Sequence, residues 1–334
     1  MKAYIKGISY YLPKQIITNE VLLKDFPEWS VEKVAGKIGI SERHISSKGE
    51  TAVDMAVEAA KKLFSDFHIN ALDIDFIMLC TQSPDYFLPT SACIIQNKLD
   101  IPINAGAIDF NLGCSGFVYG LAMAKGLIMA GIAKNVLLLT SETYSKYIHP
   151  RDKVNRTIFG DGAAATLVSD NGIAEIMKFS LGSDGSGAEN LIVKTGCMRQ
   201  PTIKNDLQFD ESGNPTSSDY IFMNGTEIFN FTLEMVPSLV EKTLEINSMQ
   251  KEDIDLFVFH QANKYMLNFL RKKIRIPEEK FYYYLDKVGN TVSSTIPIAL
   301  LEALNAKKIQ AGEKVLLAGF GVGYSWAGSI LKFT

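Results

Sequence analysis

Cys114 has the surroundings of a cysteine nucleophile. It lies in Gly113-Cys114-Ser115-Gly116, between a strand pattern and a helix pattern. The glycines allow a tight turn and a close approach by a ligand or another segment. At the start of a helix, unpaired N–H groups and the positive end of the helix dipole stabilise a thiolate. The arrangement has the logic of a nucleophile elbow, although a lone cysteine among glycines is more often a small core residue.

Two further polar residues stand where a site would need them. His260 ends an apolar strand pattern, and ligands of open α/β sheets gather at the carboxyl ends of strands. A histidine there orients a nucleophile or donates a hydrogen bond to a developing oxyanion; the alternative is a buried histidine bonded to a backbone carbonyl. Asn290 follows Gly289 and precedes a Ser/Thr-rich helix start. On the sequence alone, this Gly-Asn pair indicates a turn.

A glycine loop, Phe320-Gly321-Val322-Gly323, follows the last central strand pattern. Gly-x-Gly after a strand is a weak dinucleotide signal, and here a second strand pattern follows in place of a helix. We therefore reject a dinucleotide site. The loop is still able to present backbone N–H groups to a carbonyl oxygen.

A basic helix is predicted immediately after His260. Residues 264–275 contain five positive side chains and no acid. Spacings of three and four place most of them on one helical face. A solvated face of an amphipathic helix is the commoner interpretation. The alternative is a docking surface for an acidic protein or for phosphates.

Composition limits the class of protein. The chain has 334 residues, 47 % of them hydrophobic and 21 % charged, with a formal net charge of −3. This allows one large or two ordinary domains with a substantial core, and it argues weakly against a general nucleic-acid binder. The four cysteines and four histidines lack the spacings of a disulfide framework or a zinc site. We expect a cytoplasmic protein with no membrane span.

Helix and strand patterns alternate along the chain, which predicts parallel strands covered by helices. An internal repeat is also visible. Residues 73–79 resemble residues 253–259, and residues 134–138 resemble 313–317, both about 180 residues apart. We therefore expect two similar α/β halves, residues 1–172 and 173–334. The polar stretch 182–219 would be a lid over a cleft or a mobile linker.

Together, these motifs resemble the β-ketoacyl-acyl-carrier-protein synthase III family. Four motifs occur in the family's order and spacing, and the match runs from Tyr4 to Phe333. They are the Gly-Cys-Ser-Gly turn at Cys114, His260-Gln261-Ala262-Asn263, Gly289-Asn290-Thr291 and the loop at Val322. The resemblance implies an α/β thiolase fold with two duplicated βαβαβαββ halves in a five-layered α-β-α-β-α arrangement. It also implies a homodimer and no cofactor other than the coenzyme A thioester substrate.

The resemblance further implies a decarboxylative Claisen condensation. Cys114 would take an acyl group from acyl-CoA, and the enolate from malonyl-acyl carrier protein would then attack the acyl-cysteine, with release of carbon dioxide. His260 and Asn290 would donate hydrogen bonds to the malonyl thioester oxygen. The backbone N–H groups of Cys114 and Val322 would form the oxyanion hole of the acyl transfer. Val322 departs from the family's more glycine-rich loop and would narrow the site.

The same resemblance places contacts for coenzyme A, the carrier protein and the acyl chain. The implied coenzyme A contacts are Trp29, Lys37, Lys153, Arg156 and Asn263. The implied carrier-protein contacts are Lys264, Arg271, Lys272 and Lys273. Asn230 and Tyr265 stand where the family commonly has basic residues, which would weaken docking. Leu88, where an aromatic is usual, would reach into the acyl pocket of the partner subunit and leave room for primers longer than acetyl.

Two other functions stay open at this point. An acyltransferase that does not decarboxylate its donor is compatible with the same framework, and carbon dioxide release separates it from a condensing enzyme. A non-catalytic partner subunit is the third hypothesis. Such a subunit would be expected to lack the nucleophile, whereas Cys114 is present.

Overall fold

Helices and strands alternate along the computed structural model, which describes residues 2–334 and, at residue 33, the backbone alone. The helices are α1 (Asn19–Leu22), α2 (Val31–Ile38), α3 (Ala52–Phe67), α4 (Ser91–Lys98), α5 (Gly116–Met129), α6 (Lys153–Ile158), α7 (Gly225–Ile246), α8 (Lys264–Ile274) and α9 (Thr295–Asn305). The strands are β1 (Tyr4–Tyr11), β2 (Gln15–Thr18), β3 (Glu42–Ile45), β4 (Phe76–Cys80), β5 (Gly106–Phe110), β6 (Asn135–Glu142), β7 (Gly162–Ser169), β8 (Ala174–Ser183), β9 (Leu191–Ile192), β10 (Gln208–Phe209), β11 (Pro215–Thr216), β12 (Phe222–Met223), β13 (Leu256–Phe259), β14 (Lys314–Gly321) and β15 (Ser325–Phe333).

One mixed sheet runs through the molecule in the order β13-β14-β15-β8-β1-β7-β6-β4-β5. Strand β4 is parallel to β5 and β6, and β13 is parallel to β14, whereas the other neighbours are antiparallel. Strands β1 and β8 join the halves through two residue pairs, Tyr4 with Glu175 and Ile5 with Ala174. The order β1-β7-β6-β4 of the first half is repeated by β8-β15-β14-β13 of the second, and β5 extends the first half by one strand.

The repeated Asp-x-Asp motif has the same structural role in both halves. The Asp75 carboxylate accepts hydrogen bonds from the backbone N–H groups of Lys134 and Asn135, each at 2.8 Å. In the second half, the Asp255 carboxylate accepts one from the N–H of Lys314, also at 2.8 Å. Each aspartate therefore ties the start of one parallel strand to the start of its neighbour. The duplicated α/β fold expected from the sequence is confirmed, and a boundary in the turn between β7 and β8 remains our proposal.

The helices form three layers around the two halves of the sheet. Helices α5 and α9 contact strands of both halves, α3 and α4 cover the first half, and α7 and α8 cover the second. The sandwiched position of α5 explains why its sequence is apolar on nearly all sides. Phe117 and Leu121 on α5 and Ile296 and Leu300 on α9 are fully buried in this middle layer. This is the five-layered arrangement that the resemblance implied.

Strand β5 begins only at Gly106, because Pro102 opens a turn in which its carbonyl accepts a hydrogen bond from the N–H of Ala105. Ile103 is consequently 96 % exposed. The polar stretch 182–219 contains a 3₁₀ turn and the short strands β9, β10 and β11. Within residues 2–334, no helix combines the length and the apolar character needed to cross a membrane.

Candidate active site

Cys114 lies in a tight turn between β5 and α5, as predicted, and is only 6 % exposed. The turn closes with a hydrogen bond from the N–H of Gly116 to the carbonyl of Gly113, at 2.8 Å. A glycine is also needed on strand β14, where that strand faces the Cys114 sulfur. A Cβ atom at Gly321 of β14 would lie 2.9 Å from the Cys114 sulfur. The second half of the chain therefore approaches the sulfur at a distance that only a glycine allows.

The Cys114 thiol is held in its protonated form at neutral pH. Burial raises its pKa to about 12, and the nearby Glu142 carboxylate acts in the same direction. The backbone N–H groups of Cys114 and Val322 reach the sulfur and lower the pKa, but by less. The helix N-terminus therefore favours the thiolate as expected, but desolvation of the buried sulfur outweighs these donors. The two N–H groups proposed for the oxyanion hole nevertheless converge on the sulfur.

His260 directly follows β13 and is 2 % exposed. Its backbone N–H donates to the carbonyl of Ala318 on β14 at 2.8 Å. The ring atom Nδ1 lies 2.7 Å from Oγ1 of Thr295, the first residue of α9. Burial lowers the imidazole pKa to about 3, so the ring is uncharged at neutral pH. His260 thus occupies the carboxyl edge of the sheet predicted for it.

Asn290 is buried beside α6, and its side chain is held by the backbone that follows it. Its N–H donates to the carbonyl of Ile158, while its Oδ1 accepts from the N–H of Val292, both at 2.9 Å. Within residues 2–334, its Nδ2 group has no hydrogen-bond partner. Val292 has a φ of +55°, a strained conformation for a β-branched residue. The turn predicted from Gly289-Asn290 exists, yet the sequence did not indicate that the amide would be buried in a site.

Glu142 is a buried carboxyl group that the sequence analysis missed. It is the last residue of β6 and has no exposed surface. It accepts hydrogen bonds from the N–H of Gln82 at 3.0 Å, the Ser83 hydroxyl at 3.1 Å and the Ser293 hydroxyl at 3.2 Å. Burial raises its pKa to about 8. The sequence did contain a signal for Glu142, namely a polar residue at the carboxyl end of an apolar strand. The same pattern singled out His260.

A cavity of about 910 Å³ lies beside the Cys114 turn and is lined by Val322. Its polar lining residues include Thr81, Gln82, Asn111, Tyr144 and Tyr147. Its apolar lining residues include Phe110, Leu191, Val193, Ile221 and Val322. The 182–219 segment contributes lining residues from Leu191 to Cys197, so it covers the cavity. Leu88 lies in the loop whose Tyr86 and Phe87 line the same cavity, and it is 82 % exposed.

A second cavity of about 540 Å³ brings together three of the residues expected to contact coenzyme A, namely Trp29, Lys37 and Asn263. The Lys153 ammonium lies 5.9 Å from the centre of the Trp29 ring, and it also binds Glu28 at 3.0 Å. Arg156 does not line this cavity: its guanidinium forms an ion pair with Asp25 at 3.0 Å and lies over Phe26.

The basic helix is α8, and three of its four proposed carrier-protein contacts are exposed: Lys264, Lys272 and Lys273. Arg271 differs, because its side chain is 13 % exposed and pairs with Glu278 at 3.2 Å. Tyr265 stacks on Phe229 of α7, with ring centres 5.7 Å apart, at the mouth of the second cavity. Within residues 2–334, no group of three or more His, Cys, Asp or Glu side chains is placed to hold a metal ion.

Two protein-family models match the chain. Residues 108–185 match the model described as 3-oxoacyl-[acyl-carrier-protein] synthase III, and residues 244–333 match the C-terminal model of the same family. Together, the matched segments contain the Cys114 turn, His260, Asn290 and the Val322 loop.

Similar proteins extend the match to nearly the whole chain. A β-ketoacyl-[acyl-carrier-protein] synthase III of Clostridium perfringens is 38 % identical over 327 residues, covering 98 % of each chain. A crystal structure of a 3-oxoacyl-(acyl-carrier-protein) synthase III is 50 % identical, covers all of both chains and superposes with a TM-score of 0.97. A 3-oxoacyl-(acyl-carrier protein) synthase from Burkholderia xenovorans is 37 % identical, with a TM-score of 0.91 over 99 % of this chain and 94 % of that one.

Proposed function

Because the chain belongs to the 3-oxoacyl-[acyl-carrier-protein] synthase III family, we propose that Cys114, His260 and Asn290 carry out the family's condensation here. The protein is an acyltransferase that joins an acyl-CoA primer to malonyl-acyl carrier protein with loss of carbon dioxide. One observation carries the assignment of residues. The N–H groups of Cys114 and Val322 reach a buried thiol, and β14, whose Gly321 approaches that sulfur, also holds His260 through the Ala318 carbonyl and the Phe320 ring.

In the first half-reaction, the Cys114 sulfur attacks the thioester carbonyl of acyl-CoA. The carbonyl oxygen becomes negative and accepts hydrogen bonds from the N–H groups of Cys114 and Val322. The carbon–sulfur bond to coenzyme A then breaks, and the coenzyme A sulfur leaves with the proton that Cys114 gives up. Because the pKa of the thiol is raised to about 12, little thiolate is present in the resting protein, and the thiol must lose its proton for the attack.

In the second half-reaction, His260 and Asn290 stabilise an enolate. Malonyl-acyl carrier protein loses carbon dioxide, and negative charge develops on its thioester oxygen. The Nδ2 group of Asn290 and Nε2–H of neutral His260 donate to that oxygen. The enolate carbon then attacks the acyl carbonyl, and Cys114 leaves as a thiolate that is reprotonated. Neutral His260 carries its proton on Nε2 when the Thr295 hydroxyl gives its single proton to Nδ1 and not to the Val292 carbonyl, which lies 3.0 Å away.

Coenzyme A and the carrier protein have separate proposed contacts. We assign Trp29, Lys37 and Asn263 to the coenzyme A thioester, with Lys153 beside the Trp29 ring. The exposed lysines of α8 (Lys264, Lys272 and Lys273) would meet the acidic carrier protein. Arg156 and Arg271 already form internal ion pairs, so we assign them to holding α6 and α8 in place.

A homodimer is the proposed assembly. Strand β5 is an edge of the main sheet, and its Ile108 is 47 % exposed. The adjacent Tyr86, Phe87 and Leu88 are 63 %, 70 % and 82 % exposed. An unpaired edge beside a large apolar patch favours pairing with a second copy. Such pairing would bring Leu88 to the acyl cavity of the partner subunit. Light scattering after gel filtration tests the dimer, and the variant Leu88→Asp should weaken it.

Mass spectrometry of the intact protein tests the assigned roles. After incubation with a set of acyl-CoAs, we expect one acyl adduct in the wild type and none in Cys114→Ala. His260→Ala should keep the adduct but release little carbon dioxide from malonyl-acyl carrier protein. An adduct without carbon dioxide release in the wild type would favour the non-decarboxylating acyltransferase. No adduct from acyl-CoA or acyl-carrier-protein donors would favour a non-catalytic subunit.

A cytoplasmic location and the lack of a metal or redox cofactor stay predictions.

A further inference from the structure

The lining of the acyl cavity includes a polar N–H group that a simple alkyl chain would leave without a hydrogen-bond partner. We propose that this protein selects a primer whose acyl chain carries an uncharged oxygen, a hydroxyl or keto group, close to the thioester. The proposal rests on the proposed function, because it assumes that the cavity beside Cys114 holds the acyl group. It names the class of acyl-CoA that this site accepts.

The side chains of Tyr144, Gln82 and Asn111 line this cavity and are linked by two successive hydrogen bonds. The Tyr144 hydroxyl donates to Oε1 of Gln82 at 2.5 Å, and Nε2 of Gln82 donates to Oδ1 of Asn111 at 3.0 Å. Tyr144 is 5 % exposed, and burial keeps its pKa well above the ordinary value, so the phenol retains its proton. This buried O–H has Oε1 of Gln82 as its acceptor. If the Gln82 amide were rotated by half a turn, its NH₂ group would face the Tyr144 hydroxyl, and the O–H would have no acceptor. Buried polar groups without a hydrogen-bond partner are costly and rare.

The orientation of Gln82 also determines that of Asn111. Because Nε2 of Gln82 donates to Oδ1 of Asn111, the Nδ2 group of Asn111 is left over as a donor. Within residues 2–334, that Nδ2 group has no hydrogen-bond partner, and Asn111 lines the cavity. The chain of hydrogen bonds therefore ends in a donor available to a ligand. A ligand that lacks an acceptor would displace water from this N–H without replacing its hydrogen bond.

The donor lies near the reacting end of the acyl group. A Cβ atom at Gly113, the residue before Cys114, would lie 2.7 Å from Oε1 of Gln82 and 2.6 Å from the Val322 side chain. Gln82 and Val322 thus lie close together against the turn that carries the nucleophile, and both line the cavity. An acyl chain on Cys114 would have its first carbons next to them. An oxygen on these carbons would accept a hydrogen bond from Asn111, and the hydrocarbon would pack against the apolar lining residues.

Charge in the cavity favours a neutral oxygen over a carboxylate. Asp85 and Asp109 are lining residues, and within residues 2–334 the lining includes no Lys, Arg or His. Asp109 accepts hydrogen bonds from the N–H groups of Ser91 and Ala92, and Asp85 from the Thr51 hydroxyl. Both carboxyl groups therefore have hydrogen-bond partners. A carboxylate on the acyl chain would be a third acidic group in this cavity and would be repelled.

The test compares the rates at which Cys114 is acylated by matched thioesters. We expect 3-hydroxybutyryl-CoA to acylate the wild type about tenfold or more faster than butyryl-CoA, and succinyl-CoA to be slower than either. In Asn111→Leu, the preference for the hydroxyl should disappear while butyryl transfer persists. Gln82→Leu is a second variant with the same expected effect. Asn171→Leu, in the exposed turn between β7 and β8, is the matched control and should keep the wild-type ratio.

Two results would overturn the proposal. One is equal or faster acylation by butyryl-CoA in the wild type, and the other is an unchanged ratio in Asn111→Leu and Gln82→Leu. In either case, acylation of Cys114 would still support the proposed function. If no thioester acylates the wild type, the proposed function itself fails, so the two failures are distinguishable.

Discussion

The Nδ1 atom of His260 lies 2.7 Å from the hydroxyl oxygen of Thr295, which itself lies 3.0 Å from the carbonyl oxygen of Val292. Thr295 begins the middle-layer helix α9, whereas His260 ends a strand of the second half of the sheet. The hydroxyl has one proton to donate. The Val292 carbonyl and Nδ1 compete for that proton. When Nδ1 accepts it, the imidazole carries its own proton on Nε2, which is the tautomer needed to stabilise an enolate.

Replacing Thr295 with Val should impair the second half-reaction more than the first. Without the hydroxyl, the His260 ring loses the partner that fixes its tautomer and orientation, and we expect decarboxylation of malonyl-acyl carrier protein to fall roughly 10- to 100-fold. Acylation of Cys114 by acyl-CoA should change little. Thr295→Ser, which keeps the hydroxyl, should restore most of the decarboxylation. Equal loss of both half-reactions in Thr295→Val would point to a structural role for Thr295.

Gly321→Ala should block Cys114 without unfolding the protein. The new Cβ would lie 2.9 Å from the Cys114 sulfur, so the sulfur or the strand must shift, and we expect acylation to slow by about a hundredfold or more. Gly126→Ala is the control, since a Cβ there meets nothing within 4 Å on helix α5. It should leave acylation unchanged and raise the free energy of unfolding by about 0.5–1 kcal/mol. Wild-type acylation in Gly321→Ala would contradict the close approach.

Alkylation of Cys114 by iodoacetamide should keep accelerating well above neutral pH. With a pKa raised to about 12, the thiolate fraction at pH 7 is about 10⁻⁵ and grows about tenfold per pH unit. We therefore expect the rate, followed by peptide mass spectrometry, to rise without a plateau between pH 7 and 10. The exposed Cys93 and Cys197 provide internal comparisons. A plateau below pH 9 would show that the resting thiol ionises far more readily.

Glu142 should make the protein less stable as the pH rises from 5 to 8. Its pKa is raised from 4.5 to about 8 in the folded state. Between those values, the folded state binds a proton that the unfolded state releases, so stability falls as pH increases. The shift corresponds to roughly 3–5 kcal/mol across this window. Urea unfolding of the wild type and Glu142→Gln at several pH values measures it. If the difference between the two proteins is constant with pH, Glu142 does not titrate in this range.

The exposed lysines of α8 should attract the acidic carrier protein through long-range electrostatic interactions. Reversing both charges, in Lys272→Glu with Lys273→Glu, should raise the KM for malonyl-acyl carrier protein about tenfold at low salt, and by less at high salt. The KM for acyl-CoA should stay unchanged. Lys308→Glu is a matched control, because Lys308 is exposed but precedes β14 at the amino edge of the sheet. An equal effect of Lys308→Glu would indicate a response to net charge alone.

Local patterns were sufficient to predict much of the fold. The alternation of helices and strands was predicted because each element depends on apolar spacing within a few residues, as in the helices Ala52–Phe67 and Gly225–Ile246. The buried strand Phe76–Cys80 is likewise a short apolar run. The repeated Asp-x-Asp at Asp75 and Asp255 indicated the duplication, since similar short sequences make the same strand-to-strand contacts.

The sequence by itself therefore determined the fold class and the duplication through local motifs, and it pointed to Cys114, His260 and Asn290 through the order and spacing that resemble the family. The tertiary structure alone decided the protonation states and the substrate-facing groups. Burial by distant segments raises the pKa of Cys114, and Glu142 receives a hydrogen bond from Ser293 of the other half. Asn111 becomes a free donor because Tyr144 orients Gln82. Desolvation and hydrogen bonding depend on which segments meet in space, and residues distant in the chain do not indicate that.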